Sequence, residues 1–382
     1  MEILQSKKLR IALFFSSNPS STGGVQEHVM YLSDELRKAG HDVTIFGPEG
    51  KSNQYKNYKS IGYTVQVPLP NGNWASVQML KPFTDVKKII SKERFDIFHI
   101  QEPYIPFLSW HLIEHIDIPK VSTFHSAWDQ ESVMNALNNI LPMFADKFSQ
   151  HMDGAIFVSH ITKKRWKSLC KKNVIQKVMY NAVDRQLFYP IDKNAESTIK
   201  ILFLGRIVPR KGIMYLLNSF KTLLPDHPNI HLDIVGGGAD VEKTIDFIKK
   251  NNLEKQIQYH GEIFGTKRIA FFQNADIFCA PYCDEASPLT ILEAMSCGCT
   301  LVGFQNEAVK ESLKGYPEFK KLFVQQKNSQ ALTNALQYTI SSADTRKNSR
   351  QWCLKESRKY SWRKVAQKTI GIYHNIIKKH HA

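Results

Sequence analysis

Asp276-Ile277-Phe278-Cys279-Ala280-Pro281-Tyr282-Cys283-Asp284-Glu285-Ala286-Ser287-Pro288-Leu289-Thr290-Ile291-Leu292-Glu293-Ala294-Met295 reads as a buried strand, a polar loop and the start of a helix. A short apolar run bounded by turn residues is the pattern of a parallel strand covered on both faces. Proline is comfortable where a helix begins, because the N–H it lacks would have no partner there. The helix is therefore expected over Leu289 to Cys297. Its unpaired N–H groups would suit a negatively charged ligand, with Glu285 in the loop ahead and Glu293 one turn inside, on the side facing a crevice. A plainer reading makes Glu285 a favourable charge at the helix start and leaves Glu293 exposed.

The stretch belongs to a series. Ile201 to Gly205, His231 to Val235, Gln256 to Gly261, Asp276 to Pro281 and Thr300 to Phe304 read as strands, with helices at Gly212 to Leu224, Arg268 to Asn274 and Leu289 to Cys297. An earlier series opens with an apolar run at Arg10 to Phe15. Val25, Val29, Leu32 and Leu36 follow at helical spacing, Gly40 stands where the helix should stop, and Val43 to Phe46 is apolar again. Phe95 to Ile100 and Lys120 to Phe124 continue it, ending in the polar pairs Gln101-Glu102 and His125-Ser126. Two series of strands alternating with helices predict two doubly wound α/β domains, with polar residues at the carboxyl ends of the strands as the suspects for ligand binding. Asn181, Asp184, Pro190 and Asp192 break the periodicity between them. A last helix, about Trp362 to Lys379, offers Trp362, Val365, Ile370, Tyr373 and Ile377 for one face and is expected to return to the first domain. The expected division is 1–185, 186–360 and a terminal helix at 361–382.

The chain of 382 residues is 42% apolar and 23% charged, a composition suited to folding throughout. No apolar run approaches the roughly 18 residues that cross a bilayer, and the charged start at Glu2, Lys7, Lys8 and Arg10 is unlike a secretory leader. The six cysteines lack the paired spacing of a zinc site, so reduced thiols and no metal are expected. A formal charge of +16 draws in anionic lipid, phosphorylated substrates and nucleic acid alike. Part of it lies at Lys81, Lys87, Lys88, Lys92 and Arg94. More lies in the Lys163–Lys177 stretch, where Lys163, Lys164, Arg165, Lys167, Lys171, Lys172 and Lys177 occur with no acidic residue between Ile161 and Met179. Either cluster also reads as a solvated helix face.

Three further sites carry candidate chemistry. Gly205-Arg206-Ile207-Val208-Pro209-Arg210-Lys211-Gly212 puts three cations between a strand and a helix, where a departing diphosphate would need its charge neutralised. Ser21-Thr22-Gly23-Gly24-Val25 joins the first strand to its helix with paired glycines, without the G-x-G-x-x-G series of a nicotinamide-type site. His125 follows a strand and could hydrogen-bond a sugar hydroxyl or serve as a structural residue.

Taken together these motifs resemble the retaining glycosyltransferases of the GT-B fold that share an E-x7-E signature. The markers occur in family order: Gly23-Gly24-Val25-Gln26, Thr123-Phe124-His125, Gly205-Arg206 with Lys211-Gly212, and Glu285 and Glu293 with Ala294-Met295. Phe95 to Pro103, the segment Val86-Lys87-Lys88-Ile89-Ile90 and Arg165-Trp166 bring the chain nearer the bacterial phosphatidylinositol mannosyltransferases, whose matching basic helix contacts anionic lipid. The resemblance implies two Rossmann-like domains facing a central cleft, an acceptor domain first and a nucleotide-sugar domain second.

By position it implies that Arg206 and Lys211 hold the donor diphosphate and that Glu285, Leu289 and Thr290 line the sugar and its phosphates. Glu293 would fix the ribose, Gly23 and Gly24 would let backbone approach the donor, and His125 would contact the transferred sugar. Arg268 stands where the family has a lysine near the base. Ser287 and Pro288 replace the family's usual aromatic residue and glycine after Glu285, which leaves the donor sugar open. The expected activity is metal-independent, cofactor-free transfer of a hexose with retention, from GDP-mannose in preference to a UDP-sugar. The expected acceptor is a phosphatidylinositol-type lipid at the inner face of the cell membrane. Transfer to a soluble or polysaccharide acceptor, a GT-B epimerase or phosphorylase, and a non-catalytic anion-binding protein are the rivals; no aromatic-and-basic motif for nucleic acid is present.

Overall fold

The computed structural model describes residues 7–20, 23–68, 74–82, 84–105, 107–126, 150–171, 173–192 and 198–380. They form two compact units, Met1–Asn181 together with Trp362–Ala382, and Ala182–Ser361.

The first unit is built on an eight-stranded sheet. Its strands are β1 (Arg10–Phe15), β2 (Asp42–Pro48), β3 (Tyr58–Pro68), β4 (Trp74–Leu80), β5 (Ile97–Gln101), β6 (Lys120–Phe124), β7 (Gly154–Phe157) and β8 (Ile175–Val178), in the order β4-β3-β2-β1-β5-β6-β7-β8. Every neighbouring pair is parallel except β3 with β4, an antiparallel edge that the apolar runs did not announce. β5, β6 and β7 are buried along their whole length, as strands covered on both faces must be. Helix Gly24–Lys38 connects β1 to β2 and buries Val29, Leu32 and Leu36; just beyond its end Gly40 takes φ 93°, a conformation that favours glycine. Helix Val86–Glu93 starts on Asp85, whose carboxylate accepts from the Lys88 N–H at 2.9 Å.

Helix Trp362–His380 belongs to this unit, and the Trp362 ring stacks on Tyr31 of helix Gly24–Lys38 at 5.3 Å. The face it buries differs from the expected one. Ala366, Thr369, Ile372 and Ile376 go inside with Trp362, Val365 and Tyr373, while Ile370 and Ile377 are only half-buried. A small residue on the sheet lets this face lie close. The Ile376 side chain sits where a Cβ on Gly154 of β7 would come within 2.3 Å, so glycine there makes room for the helix. Tyr373 reaches the interior, its hydroxyl 2.6 Å from Nδ1 of the buried His99, whose Nε2 lies 2.6 Å from the Thr123 hydroxyl.

The second unit carries β9 (Ile199–Leu204), β10 (Ile230–Val235), β11 (Ile257–Tyr259), β12 (Ile277–Ala280), β13 (Thr300–Phe304) and β14 (Phe323–Val324), all parallel, in the order β11-β10-β9-β12-β13-β14. Counted from β9 this is third, second, first, fourth, fifth, sixth, the doubly wound order whose direction reverses between β9 and β12. Helices Ile213–Leu223, Val241–Lys250, Ile269–Asn274 and Leu289–Cys297 make the crossovers, and helices Ser329–Ser341 and Ala343–Glu356 follow β14. One continuous apolar core, from Phe203 and Ile234 through Phe278 and Met295 to Leu336, fills the unit. Loops at the carboxyl ends of β9 and β12 are neighbours by this topology, and these are the two loops the sequence singled out.

Among the described residues no helix is long and apolar enough to cross a membrane, no three His, Cys, Asp or Glu side chains converge as metal ligands, and all six cysteines are free.

Replacing Tyr373 by Phe leaves the buried His99 Nδ1 without its partner and should destabilise the first unit by about 1–3 kcal/mol. Urea denaturation followed by far-UV circular dichroism should show an earlier midpoint for that unit's transition; an unchanged midpoint would mean the hydroxyl contributes nothing.

Candidate active site

At the switch point of the second unit the chain leaves β9 through Gly205 and Arg206, makes a short turn of helix at Pro209–Lys211 and enters helix Ile213–Leu223. Gly212 joins the two at φ 71°, and a Cβ placed there would lie 2.0 Å from the Pro281 carbonyl oxygen. Glycine is thus required twice over, by conformation and by the contact of the two loops. The contact brings Lys211 against the loop after β12.

Lys211 is buried, and its ammonium meets the Glu285 carboxylate. Arg210 reaches the same carboxylate oxygen at 3.9 Å and donates to the Asp284 carbonyl oxygen at 3.2 Å. Arg206 is exposed. Burial pulls the Lys211 ammonium below its ordinary pKa, and Glu285 opposes that pull without cancelling it. Burial resists the Glu285 charge, but Lys211 and Arg210 outweigh it, helped by the Ala286 N–H at 3.2 Å, and hold the carboxyl below its usual range. Over residues 205–212 and 281–288 three cations less two acids leave a surplus of one positive charge.

Helix Leu289–Cys297 begins where the sequence placed it, with Pro288 ahead of it and no side chain capping its first turn. Leu289 is buried and the Thr290 hydroxyl lies 2.9 Å from the Tyr282 hydroxyl. The start of this helix, uncapped by a side chain, stands beside Tyr282, which Lys211 also touches, and uncapped N–H groups favour an anion.

Glu293 is not the exposed residue of the plainer reading. It is 3% accessible, and its carboxylate accepts from Arg268 at 2.6 Å, while the Arg268 guanidinium also lies 5.4 Å from the centre of the Phe188 ring. The structure therefore joins two residues that the sequence treated separately, 25 positions apart. It also adds Tyr282, fully buried between Lys211 and Thr290, which the sequence reading passed over. The available signal was an aromatic residue directly after the strand's closing proline.

In the first unit the direction reverses between β1 and β5. Glu102, just past β5, accepts from Ser17 at 3.1 Å and Tyr104 at 2.8 Å. Gly23 is the residue ahead of helix Gly24–Lys38, in extended backbone open to any residue; a Cβ on it would meet the Gln26 side chain at 2.6 Å. Ser21 and Thr22 of that loop lie outside the described residues. His125 is bonded through Nε2 to Gln101 Oε1 at 2.7 Å and sits edge-on to His28, 4.7 Å between ring centres. His28 is bonded in turn to Asn181 at 2.9 Å. Burial lowers the pKa of His28 to about 4 and that of His99 to about 3, and drives His125 well below its ordinary value.

The basic clusters are partly structural. Trp166, inside the Lys163–Lys177 stretch, stacks on Tyr104 at 4.6 Å and donates to the Ser126 carbonyl at 2.6 Å. Around it Lys164, Lys167, Lys171 and Lys177 are exposed, and Lys172 lies outside the described residues. Lys87 and Lys88 are exposed, with Asp117 3.8 Å from Lys87; Lys81 is half-buried beside Glu49 at 3.2 Å.

Comparison with known proteins agrees with this geometry. Residues 185–353 match the family Glycosyl transferases group 1, and residues 22–187 match Glycosyltransferase Family 4. The phosphatidyl-myo-inositol mannosyltransferase of Mycolicibacterium smegmatis is 28% identical over 313 residues, 80% of this chain and 78% of that protein. A phosphatidylinositol N-acetylglucosaminyltransferase component from Arabidopsis thaliana is 24% identical over 97% of this chain and 83% of its own. In fold, the chain superposes on sucrose-phosphate synthase from Thermosynechococcus elongatus with a TM-score of 0.76, at 18% identity over 97% of this chain and all of the other.

His28 and His99 stay neutral in the folded unit down to pH values near 4 and 3, whereas in the unfolded chain they take up protons from about 6.5. The unfolded state binds more protons in that window, so their contribution to stability is full above about pH 6.5 and is lost as pH falls toward the folded values. The melting temperature of the first unit should drop between pH 7.5 and 5, less steeply in His28→Asn. Equal slopes in the two proteins would refute the assignment.

Proposed function

We propose that this GT-B glycosyltransferase, whose second unit carries the group 1 domain, moves a hexose from a nucleoside-diphosphate sugar to a phosphatidylinositol-type lipid. The transfer proceeds with retention of anomeric configuration and needs no metal ion. The observation that carries the reading is Lys211, a buried cation at the doubly wound switch point, beside a helix start with no side-chain cap.

Breaking the bond between the anomeric carbon and its phosphate oxygen leaves charge on the diphosphate. Lys211 meets that charge as a point cation and Arg206 as a planar, two-pronged donor, with the N–H groups at Leu289 and Thr290 behind them. Their arrangement supplies the neutralisation for which other enzymes use a divalent ion. Glu285 holds Lys211 in place before the donor arrives and lines the sugar once it is bound. Glu293, steadied by Arg268, accepts from the ribose hydroxyls, and Arg268 itself borders the base. Gly23 and Gly24 admit the donor close to the backbone, and His125 offers the sugar a hydrogen bond.

With the leaving group neutralised, the acceptor hydroxyl attacks on the face the diphosphate leaves and passes its proton to the departing phosphate oxygen; no covalent glycosyl-enzyme is needed, unlike the double displacement of many glycosidases. GDP-mannose is the favoured donor from the mannosyltransferase relatives, and a UDP-sugar is the alternative that the N-acetylglucosaminyltransferase relative keeps open.

The named acceptors of both relatives support the lipid acceptor. Exposed Lys87, Lys88, Lys164, Lys167, Lys171 and Lys177 would hold the protein at the anionic inner face of the cell membrane, each worth about 1 kcal/mol near the lipid surface. The acids beside Lys81 and Lys87 compete weakly, because exposed ion pairs contribute little.

Release of nucleoside diphosphate from GDP-mannose or a UDP-sugar should depend on liposomes containing phosphatidylinositol, and Lys211→Ala should lower kcat by about 10²–10³-fold. Near-normal turnover in Lys211→Ala would overturn the site, and release indifferent to liposomes would overturn the lipid acceptor.

A further inference from the structure

We infer that Tyr282 is a positioning residue whose ring fixes the Lys211 ammonium and whose hydroxyl aims the Thr290 O–H at the donor phosphate. The inference rests on the proposed donor site and goes beyond it by assigning a role to a residue that touches no substrate.

Tyr282 is fully buried at the carboxyl end of β12, where its neighbours come from three elements. The Lys211 ammonium lies over the ring, 3.9 Å from its centre. The hydroxyl is 2.9 Å from Thr290 Oγ1 in the first turn of helix Leu289–Cys297 and 3.4 Å from the Leu204 carbonyl oxygen at the end of β9. Asn306, beyond β13, holds the backbone of Tyr282 by donating to its carbonyl oxygen at 3.0 Å, and its own Oδ1 caps helix Glu307–Ser312 through the Val309 N–H at 2.9 Å. The side chain is thereby locked from both ends across the switch point.

Each half of Tyr282 has a distinct job. A lysine carries several rotatable bonds and loses much freedom when held in one place. Here that freedom is already gone, because the ammonium is seated between the Glu285 carboxylate and the electron-rich ring face. A cation fixed before the donor binds needs no rearrangement when charge develops on the leaving diphosphate. The hydroxyl governs a single proton. Thr290 serves a phosphate best as a donor, and it can donate outward only if its oxygen accepts from elsewhere. The single Tyr282 proton has two oxygens within reach, the Leu204 carbonyl at 3.4 Å and Thr290 Oγ1 at 2.9 Å, and on this proposal it goes to the nearer one.

The test uses the full chain with GDP and UDP as probes, calorimetry for binding and nucleoside diphosphate release for turnover. Tyr282→Phe keeps the ring and should weaken nucleoside-diphosphate binding about fivefold. Thr290→Val should do the same, and the double variant should lose no more than either alone, because the hydroxyl acts through Thr290. Tyr282→Leu removes the ring and should lower kcat about tenfold or more. It should also move the basic limb of the pH–kcat profile to lower pH, since the ammonium then keeps only Glu285 as a favourable neighbour, against Arg206 and Arg210.

Independent, additive losses in Tyr282→Phe and Thr290→Val would overturn the hydroxyl's role. A folded Tyr282→Leu with a wild-type pH profile and turnover would overturn the ring's. Should Tyr282→Leu fail to fold, Tyr282→Met, which fills similar space without an aromatic face, takes its place in the same turnover and pH measurements. A wild-type protein that binds neither GDP nor UDP would instead overturn the donor site, and this inference with it.

Discussion

Lys211 and Glu285 form an ion pair with side chains only 11% and 15% accessible, and the arrangement of the second unit's carboxyl edge follows from the need to hold that pair. A lysine so far from water would lose its proton or leave the pocket without partners. It has two, the carboxylate and the face of Tyr282, and the tight turn that Gly212 makes against Pro281 brings it to them. Such a pair adds little to stability, because desolvation consumes most of its attraction. Its use is chemical. Removing one partner from water in advance creates a site where a second anion, arriving with its own charge, meets a strong and already oriented field. With Arg206 and Arg210 on the same loop, the site keeps a surplus of positive charge after Glu285 has been counted.

What the sequence made legible divides along physical lines. Strands buried on both faces are long apolar runs, so β1, β5, β6, β9, β12 and β13 could be read directly, and the helix at Leu289 was marked at its start by Pro288. Four strands at or near the sheet edges were not legible. β3 and β4 alternate apolar with polar residues and pair with each other antiparallel, β8 is only half-buried, and β14 has two residues. In the site, residues that share a loop with a strand end were visible, since position along the chain decides them. Partnerships were not: Lys211 meets Glu285 across 74 positions and Arg268 meets Glu293 across 25, and only the crossover that lays β12 beside β9 creates the first. Tyr282 escaped notice because a buried tyrosine after a strand has the appearance of core.

The first unit shows a different use of polarity. His28, His99 and His125 are hydrogen-bonded residues whose pKa values burial lowers, tied to Asn181, to Tyr373 of helix Trp362–His380 and to Gln101. A fully apolar interior would accept that helix in several rotations, and the one observed turns Tyr373 inward to His99 and leaves Ile370 and Ile377 half-buried. Hydrogen bonds that must be satisfied fix a rotation more sharply than apolar contacts do. His125, the residue given a sugar-contacting role by resemblance, is part of this network, which sets its orientation through Gln101.

The central claim is that the second unit holds a diphosphate on Lys211, and the most direct measurement is the affinity of the protein for GDP and UDP beside GMP and UMP by calorimetry at one fixed salt concentration. If the buried ammonium meets the second phosphate, one diphosphate should bind about tenfold or more tighter than its monophosphate, a difference of about 1.4 kcal/mol. Equal affinities for the two, or no binding by any of the four, would contradict the account.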